Sequence, residues 1–455
     1  MAQHAENPRV IAALPDPGTA PEATAPAPRE RRALQRAFAA SLSGTSLEFY
    51  DFAVYSSAAA LFFPKLFFAE GEPLTGTLQA FLTYAAGYLS RPLGGLVLGR
   101  LGDLIGRKKV LVMTLLLVGG ATFCVGLLPT YSTAGVLAPV LLVLLRFAQG
   151  VGVGGEWGSA VLLTSERSPP GQRGFWASAA QLGPPIGTLL AEAVLALLSV
   201  CLSPAELLAW GWRVAFLLSL VLVGVGLWVR TRLEETPEFL VIQASGARPQ
   251  SPVAEVFLQH PRALITVMLA RLGPDVVWGL YTVFLLAYAV DAQGLKLGTN
   301  QALIAVAAGS ALQLVLMPLS GWWSDRYGRR RIYAMGALGA AAWTCGFFVL
   351  VHDFPSLVMG VMGGLACHAL MYGPQAAFIA ERFPTHIRST GSALGYNLAG
   401  VVGGGPAPAV LTLLLGRPGA RWLMGAYVVG CCLVTLCGLM LGGANSARPR
   451  AGSHR

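Results

Sequence analysis

The sequence predicts an all-α membrane protein whose twelve transmembrane helices form two pseudo-symmetric six-helix bundles, and three observations carry that expectation. Of its 455 residues, 55% are hydrophobic and only 12% charged, against about 25% charged in soluble domains. Apolar runs of roughly 18 to 25 residues, enough to cross about 30 Å of hydrocarbon, recur about twelve times. Two pairs of charged loops repeat at nearly equal spacing.

The elements follow in order. Residues 1–32, rich in Ala and Pro and without an apolar signal-peptide core, read as a disordered cytoplasmic N-terminus. Spans are expected near 36–63, 77–101, 109–129, 136–164, 174–199 and 211–230, within an N-terminal bundle at 33–231. A cytoplasmic loop at 232–262 leads to a second bundle at 263–442, with spans near 263–290, 299–323, 332–351, 355–381, 389–415 and 421–442. Residues 443–455 form a short cytoplasmic tail.

Lys and Arg near span ends favour the cytoplasm. Arg29, Arg31, Arg32, Arg36, Arg107, Lys108, Lys109, Arg167, Arg173, Arg230, Arg232, Arg326, Arg329, Arg330, Arg331, Arg382 and Arg388 fall on one side. Lys65, Arg213, Lys296, Arg417 and Arg421 fall on the other. Both termini are therefore expected inside, in a multi-pass plasma-membrane protein. This asymmetry accounts for the net charge of +10, so no nucleic-acid partner is implied. The seven cysteines lie mostly in apolar spans without CxxC spacing. They read as packing residues, with no disulfide framework, metal site or cofactor.

The repeats are specific. "GRLGDLIGRKK" (Gly99 to Lys109) and "GWWSDRYGRRR" (Gly321 to Arg331) align without a gap, as do "ERSPPGQR" (Glu166 to Arg173) and "ERFPTHIR" (Glu381 to Arg388). Their offsets of about 222 and about 215 residues indicate two parallel halves able to rock about a central site.

The GxxxDxxGRK loop after span 2, repeated after span 8, resembles the signature of the major facilitator superfamily. "LEFYDFAVY" in span 1, "RFAQGVGVGGEWG" in span 4, "AWGWRVAF" and "LEETPEF" are similar to its metabolite:proton symporter branch. The resemblance covers about residues 33–442 and implies import of an organic acid or a zwitterion such as proline or betaine with protons, and not an enzyme. Two positions depart from the branch pattern. "RLGPD" (Arg271 to Asp275) stands where "RxGEN" is common, so Asp275 takes the acidic role one position later and Pro274 threatens a kink. Ala215 replaces a usual proline.

A conformational gate needs acids and bases that pair across the cytoplasmic seam in one state and part in another. Asp103 and Asp325 are the expected gate acids, and Arg107 and Arg329 the neighbouring bases.

Ionisable groups inside spans cost about 2.5 to 3.5 kcal/mol each on insertion scales, so their positions are informative. At about 1.5 Å per residue, Glu48, Asp51, Arg91, Glu156, Arg271 and Asp275 share a central layer, with Arg146 further outward. Glu48, Asp51 and Tyr55 follow i, i+3, i+7; Arg146, Gln149, Val153 and Glu156 follow i, i+3, i+7, i+10. Buried carboxylates near arginines can exchange protons if rocking changes their surroundings. Asp51 or Glu48 is expected to carry the proton, with Glu156 and Arg146 as partners. Arg91, Arg271 and Asp275 are the charged candidates for binding a small-molecule substrate. Tyr55, Gln149, Gln181, Tyr281, Tyr372, Gln375, Tyr396 and Asn397 are the neutral ones. The plain alternative for each is an interhelical contact, and it is preferred for Glu192 and for His368.

Three other functions compete. "GPPIG" (Gly183 to Gly187) partly resembles an exporter signature. An osmolyte carrier of this branch would often carry a coiled-coil tail, whereas "NSARPRAGSHR" has no heptads, which favours a carboxylate. A carrier-like sensor would need an output domain. The protein is expected to work as a monomer.

Overall fold

The computed structural model describes residues 28–69, 71–105, 107–154, 168, 171–231, 252–291, 293–384 and 386–442, and their regular structure is entirely helical. In a bilayer only internal hydrogen bonds can satisfy the backbone, which leaves helices as the solution for such apolar runs. The long helices are α1 (Pro28–Leu61), α2 (Pro73–Ile105), α3 (Arg107–Leu127) and α4 (Leu137–Gly154). They are followed by α5 (Arg173–Cys201), α6 (Pro204–Trp228), α7 (Pro261–Val290) and α8 (Thr299–Tyr327). The chain continues through α9 (Arg329–Leu350), α10 (Phe354–Ala380), α11 (Arg388–Leu415) and α12 (Ala420–Leu441).

Among the described residues, 10 helices are long and apolar enough to cross a membrane. α1 and α2, with 34 and 33 residues, are long enough as well but more polar, because they carry Glu48, Asp51 and Arg91. By length they complete the expected set. Two boundaries differ from expectation. α1 starts at Pro28, inside the segment expected to be disordered, with proline at a helix start, where its missing N–H costs nothing. The central loop contains a short helix, Pro252–Gln259, whose Glu255 accepts from His386 Nε2 at 2.7 Å.

Helix partnerships repeat between the halves. α2 packs on α4, α1 on α5, and α3 on both α4 and α6. Correspondingly, α8 packs on α10, α7 on α11, and α9 on both α10 and α12. The halves meet along two seams, α5 against α8 and α2 against α11, which the repeat exchanges. α5 and α11 are both interrupted, at Gln181–Leu182 and at Gly403–Pro406. Such breaks are tolerated at membrane depth where protein surrounds them.

The tightest seam lies within the N-terminal half. A Cβ on Gly150 would overlap the Gly87 carbonyl, and one on Gly154 would overlap the Arg91 carbonyl. α2 and α4 therefore meet backbone to backbone, the close approach that small residues spaced by four allow.

Candidate functional site

That contact brings the sequence-predicted charges together. Glu48 and Phe52 on α1, Gly87 and Arg91 on α2, Val118 on α3, and Arg146 and Gln149 on α4 line one cavity of about 10 Å³, room for about one water. Arg146 is 1% exposed and Arg91 3% exposed. Aromatic faces hold both guanidiniums. Arg146 Cζ lies 4.1 Å from the Tyr55 ring centre and 4.5 Å from that of Phe52, and Arg91 Cζ lies 3.9 Å from that of Tyr88.

Arg146 Nη1 donates to Gln149 Oε1 at 3.1 Å, and Gln149 Nε2 donates to Thr122 Oγ1 at 2.7 Å. Thr122 in turn lies beside Asp51, so two neutral side chains stand between the two charges. Arg91 Nε and Arg146 Nε and Nη2 have no hydrogen-bond partner among the described residues. Neither arginine has a described carboxylate within ion-pair distance. Buried donors of this kind are rare in folded proteins and call for an acceptor.

The C-terminal half arranges its charge differently. Arg271 and Asp275, one turn apart on α7, form a two-pronged ion pair with contacts of 2.9 and 3.0 Å. The Arg271 guanidinium lies over the Tyr396 ring and donates to Gln375 Oε1 at 3.3 Å. Gln375 Nε2 donates to Tyr333 Oη at 2.7 Å, and Tyr333 Oη donates to the Ala270 carbonyl at 2.8 Å. Pro274 explains the last bond: lacking an N–H, it leaves the carbonyl four residues earlier without its helical partner, and Tyr333 supplies the donor. The proline expected to kink α7 thus anchors a network, and a π-helical turn follows it at Gly279–Phe284. Arg91 lies within Coulombic reach of Asp275 and Tyr396, so both halves contribute to one central layer.

The remaining candidates divide. Tyr372 Oη meets Tyr396 Oη at 3.0 Å. Asn397 Nδ2 donates to the Gly154 carbonyl at 2.9 Å, and Gln181 Nε2 to the Tyr372 carbonyl at 2.8 Å, both across the halves. Tyr281 is not brought to this layer: it packs on Gly364 and Phe347, with its hydroxyl 3.2 Å from Thr344 Oγ1, inside the C-terminal bundle. Glu192 accepts from Ser57 at 2.6 Å, joining α5 to α1. Glu156 lies outside the described residues, as do the side chains of Asp103 and Arg107.

At the cytoplasmic end, Asp325 on α8 crosses to the N-terminal half. Its oxygens accept from the Gly174 and Phe175 backbone N–H groups of α5 at 2.8 and 2.9 Å, unpaired donors at a helix start that favour a negative charge. Arg329 pairs with Asp325 at 3.1 Å and with Glu381 at 2.7 Å. Glu381 is not among the expected gate residues, although the repeated "ERxP" loops mark its position.

The chain matches the Major Facilitator Superfamily over residues 42–408 and 276–453. It is 37% identical over 417 residues to the inner membrane metabolite transport protein YhjE of Escherichia coli, covering 88% of this chain and 91% of that protein. It is 36% identical over 409 residues to the shikimate transporter of the same organism, covering 88% and 92%. With the proline/betaine transporter of Salmonella typhimurium it shares 33% identity over 385 residues, covering 82% and 76%. The solved structure of the xylose transporter XylE from Escherichia coli, in a partially occluded inward-open conformation, has the same fold. Its TM-score is 0.68 at 18% identity, covering 88% of this chain and 96% of XylE. A two-half helical membrane fold, a central charged layer and these relatives agree: the chain is a multi-pass membrane transporter, not an enzyme, and belongs to the Major Facilitator Superfamily, in its metabolite:proton symporter branch.

Proposed function

We propose that this chain imports a small organic carboxylate together with protons, by alternating access between its two halves. The observation that carries the reading is the pair of buried arginines, Arg91 and Arg146, whose open N–H groups share a cavity with Glu48. A substrate carboxylate would supply the missing acceptors as charge-assisted hydrogen bonds. Arg271, Asp275, Gln149, Gln375, Tyr55, Tyr372, Tyr396, Gln181 and Asn397 complete the surroundings of the bound molecule. The shikimate transporter among the relatives is in keeping with this class.

Hydrogen-bond direction supports Asp51 as the proton carrier. Thr122 has one hydroxyl proton, donated to the Val118 carbonyl at 2.9 Å, while its oxygen accepts from Gln149. A protonated Asp51 can donate to that oxygen without disturbing either bond; an ionised Asp51 must draw the hydroxyl away from Val118. The protonation of Asp51 is thereby transmitted to Gln149 and Arg146. Glu48 is the second candidate and Glu156 the expected partner. Asp325 and Arg329, with Asp103 and Arg107 as their repeat counterparts, act as the cytoplasmic gate of a monomer with both termini inside.

Proteoliposome uptake of a carboxylate panel, with and without an inward-acid gradient, tests the reading. Gradient-stimulated uptake is expected, and Asp51→Asn abolishes the stimulation while leaving exchange of preloaded substrate. Uptake indifferent to the gradient, or unchanged stimulation in both Asp51→Asn and Glu48→Gln, would refute proton coupling through these groups.

A further inference from the structure

We propose that the C-terminal half carries a neutral hydrogen-bonding subsite, built on Gln313 and His368, that selects a hydroxyl-bearing carboxylate over a quaternary ammonium compound. The proposal rests on the carboxylate reading above and narrows it. Gln313 is the middle residue of α8 and His368 lies within a residue of the middle of α10, the depth at which carriers of this construction hold their substrates.

The local bonds fix the orientation of both groups. Gln313 Nε2 donates to the Leu365 carbonyl at 3.0 Å, which assigns the amide nitrogen. The same nitrogen lies 2.8 Å from His368 Nδ1, which must accept. The ring proton is therefore on Nε2.

Three polar groups then remain open. His368 Nε2–H is a donor with no partner among the described residues, although the residue is 2% exposed. Gln313 Oε1 is a buried acceptor without a partner, and so is Ser310 Oγ, one turn away on the same face of α8. A network that only stitched helices would close on itself; this one leaves one donor and two oxygens able to accept.

The cluster is continuous with the central layer. The His368 ring stacks on Tyr372 at 5.0 Å between centres, Tyr372 Oη meets Tyr396 Oη, and the Tyr396 ring lies against Arg271. A hydroxyl can accept from His368 Nε2–H, on the ring edge away from Gln313, or donate to Gln313 Oε1, so hydroxyl chemistry meets each of these needs. A methylated ammonium has no N–H or O–H to offer Gln313. It also finds no free acid here, since Asp275 is held by Arg271.

The test uses purified full-length protein in proteoliposomes and three matched pairs as competitors and substrates: shikimate with cyclohex-1-ene-carboxylate, malate with succinate, and lactate with propionate. Glycine betaine is added as the ammonium probe. At least one hydroxylated member is expected to half-saturate at a concentration about 100-fold lower than its deoxy partner, the upper range for leaving one buried polar group unpaired. In His368→Phe and Gln313→Leu the ratio within that pair is expected to fall at least tenfold. Because the ratio is internal to each preparation, a variant of reduced yield still reports.

If no pair discriminates, or both variants keep the ratio, the subsite is filled by water only and the proposal is overturned while carboxylate transport stands. Glycine betaine outcompeting every carboxylate, or failure of all six acids to bind, overturns the carboxylate reading itself.

Discussion

The two halves share one architecture and treat buried charge in opposite ways. In the C-terminal half, Arg271 is neutralised by Asp275 on its own helix and braced by Gln375 and Tyr333. In the N-terminal half, Arg91 and Arg146 rest on aromatic rings and keep open N–H groups. A repeat therefore conserves how helices pack without conserving what they pack around. One half holds its charge in a finished pair; the other leaves buried donors open among the described residues. The pairing is also cheaper to alter where it is internal, because an ion pair can be replaced as a unit.

The largest expected effect breaks the open side of this comparison. Arg91→Gln and Arg146→Gln should each reduce uptake efficiency for the preferred carboxylate by 100-fold or more in initial-rate measurements, because the arginine that remains, held on its own aromatic rings, does not supply the lost donors. Retained uptake in either variant would remove the distinction between the halves. A middle-sized effect probes the closed side. Asp275→Leu strands Arg271 as an unpaired buried charge, a loss of about 3 to 5 kcal/mol, visible as a fall in detergent melting temperature. Arg271→Met combined with Asp275→Leu should recover most of that stability, and a double variant no better than the single one would show that the pair is not self-contained. The smallest effect lies at the Asp325 contact with α5. Asp325→Asn keeps one neutral acceptor for the two N–H groups of α5 and sets an NH2 donor against the other, a loss of about 1 to 3 kcal/mol, so amide exchange at 174–180 should rise several-fold. Unchanged exchange would locate the cytoplasmic lock elsewhere.

Much of this was legible in the residues. Loop repeats gave the two halves, and the spacing of Glu48 with Asp51 and of Arg146 with Gln149 placed each pair on a common helix face. The i, i+4 spacing of Arg271 and Asp275 likewise suits the ion pair they form. What stayed hidden depends on rotation. Spans apolar nearly all round carry little record of which face turns inward, so Tyr281 could not be told from Tyr372, though one packs inside its bundle and the other faces the central layer. The role of Tyr333 was hidden for another reason: it answers a carbonyl released by Pro274, a bond between helices far apart in sequence. The identity of His368's partner, Gln313, was hidden likewise, 55 positions away, although the expected interhelical hydrogen bond is there.

The glycine contact between α2 and α4 has a mechanical consequence. With Gly150 against the Gly87 carbonyl and Gly154 against that of Arg91, no side chain lies between the two backbones to act as a bearing. Sliding one helix past the other would require prising the backbones apart, so the pair moves as a single plate. In the alternating-access cycle proposed above, Arg91 and Arg146, mounted on that plate, would hold a constant spacing while the seams at α5/α8 and α2/α11 open and close. On the carboxylate reading proposed above, release would then come from a change in charge or in the opposing half, not from the jaws spreading.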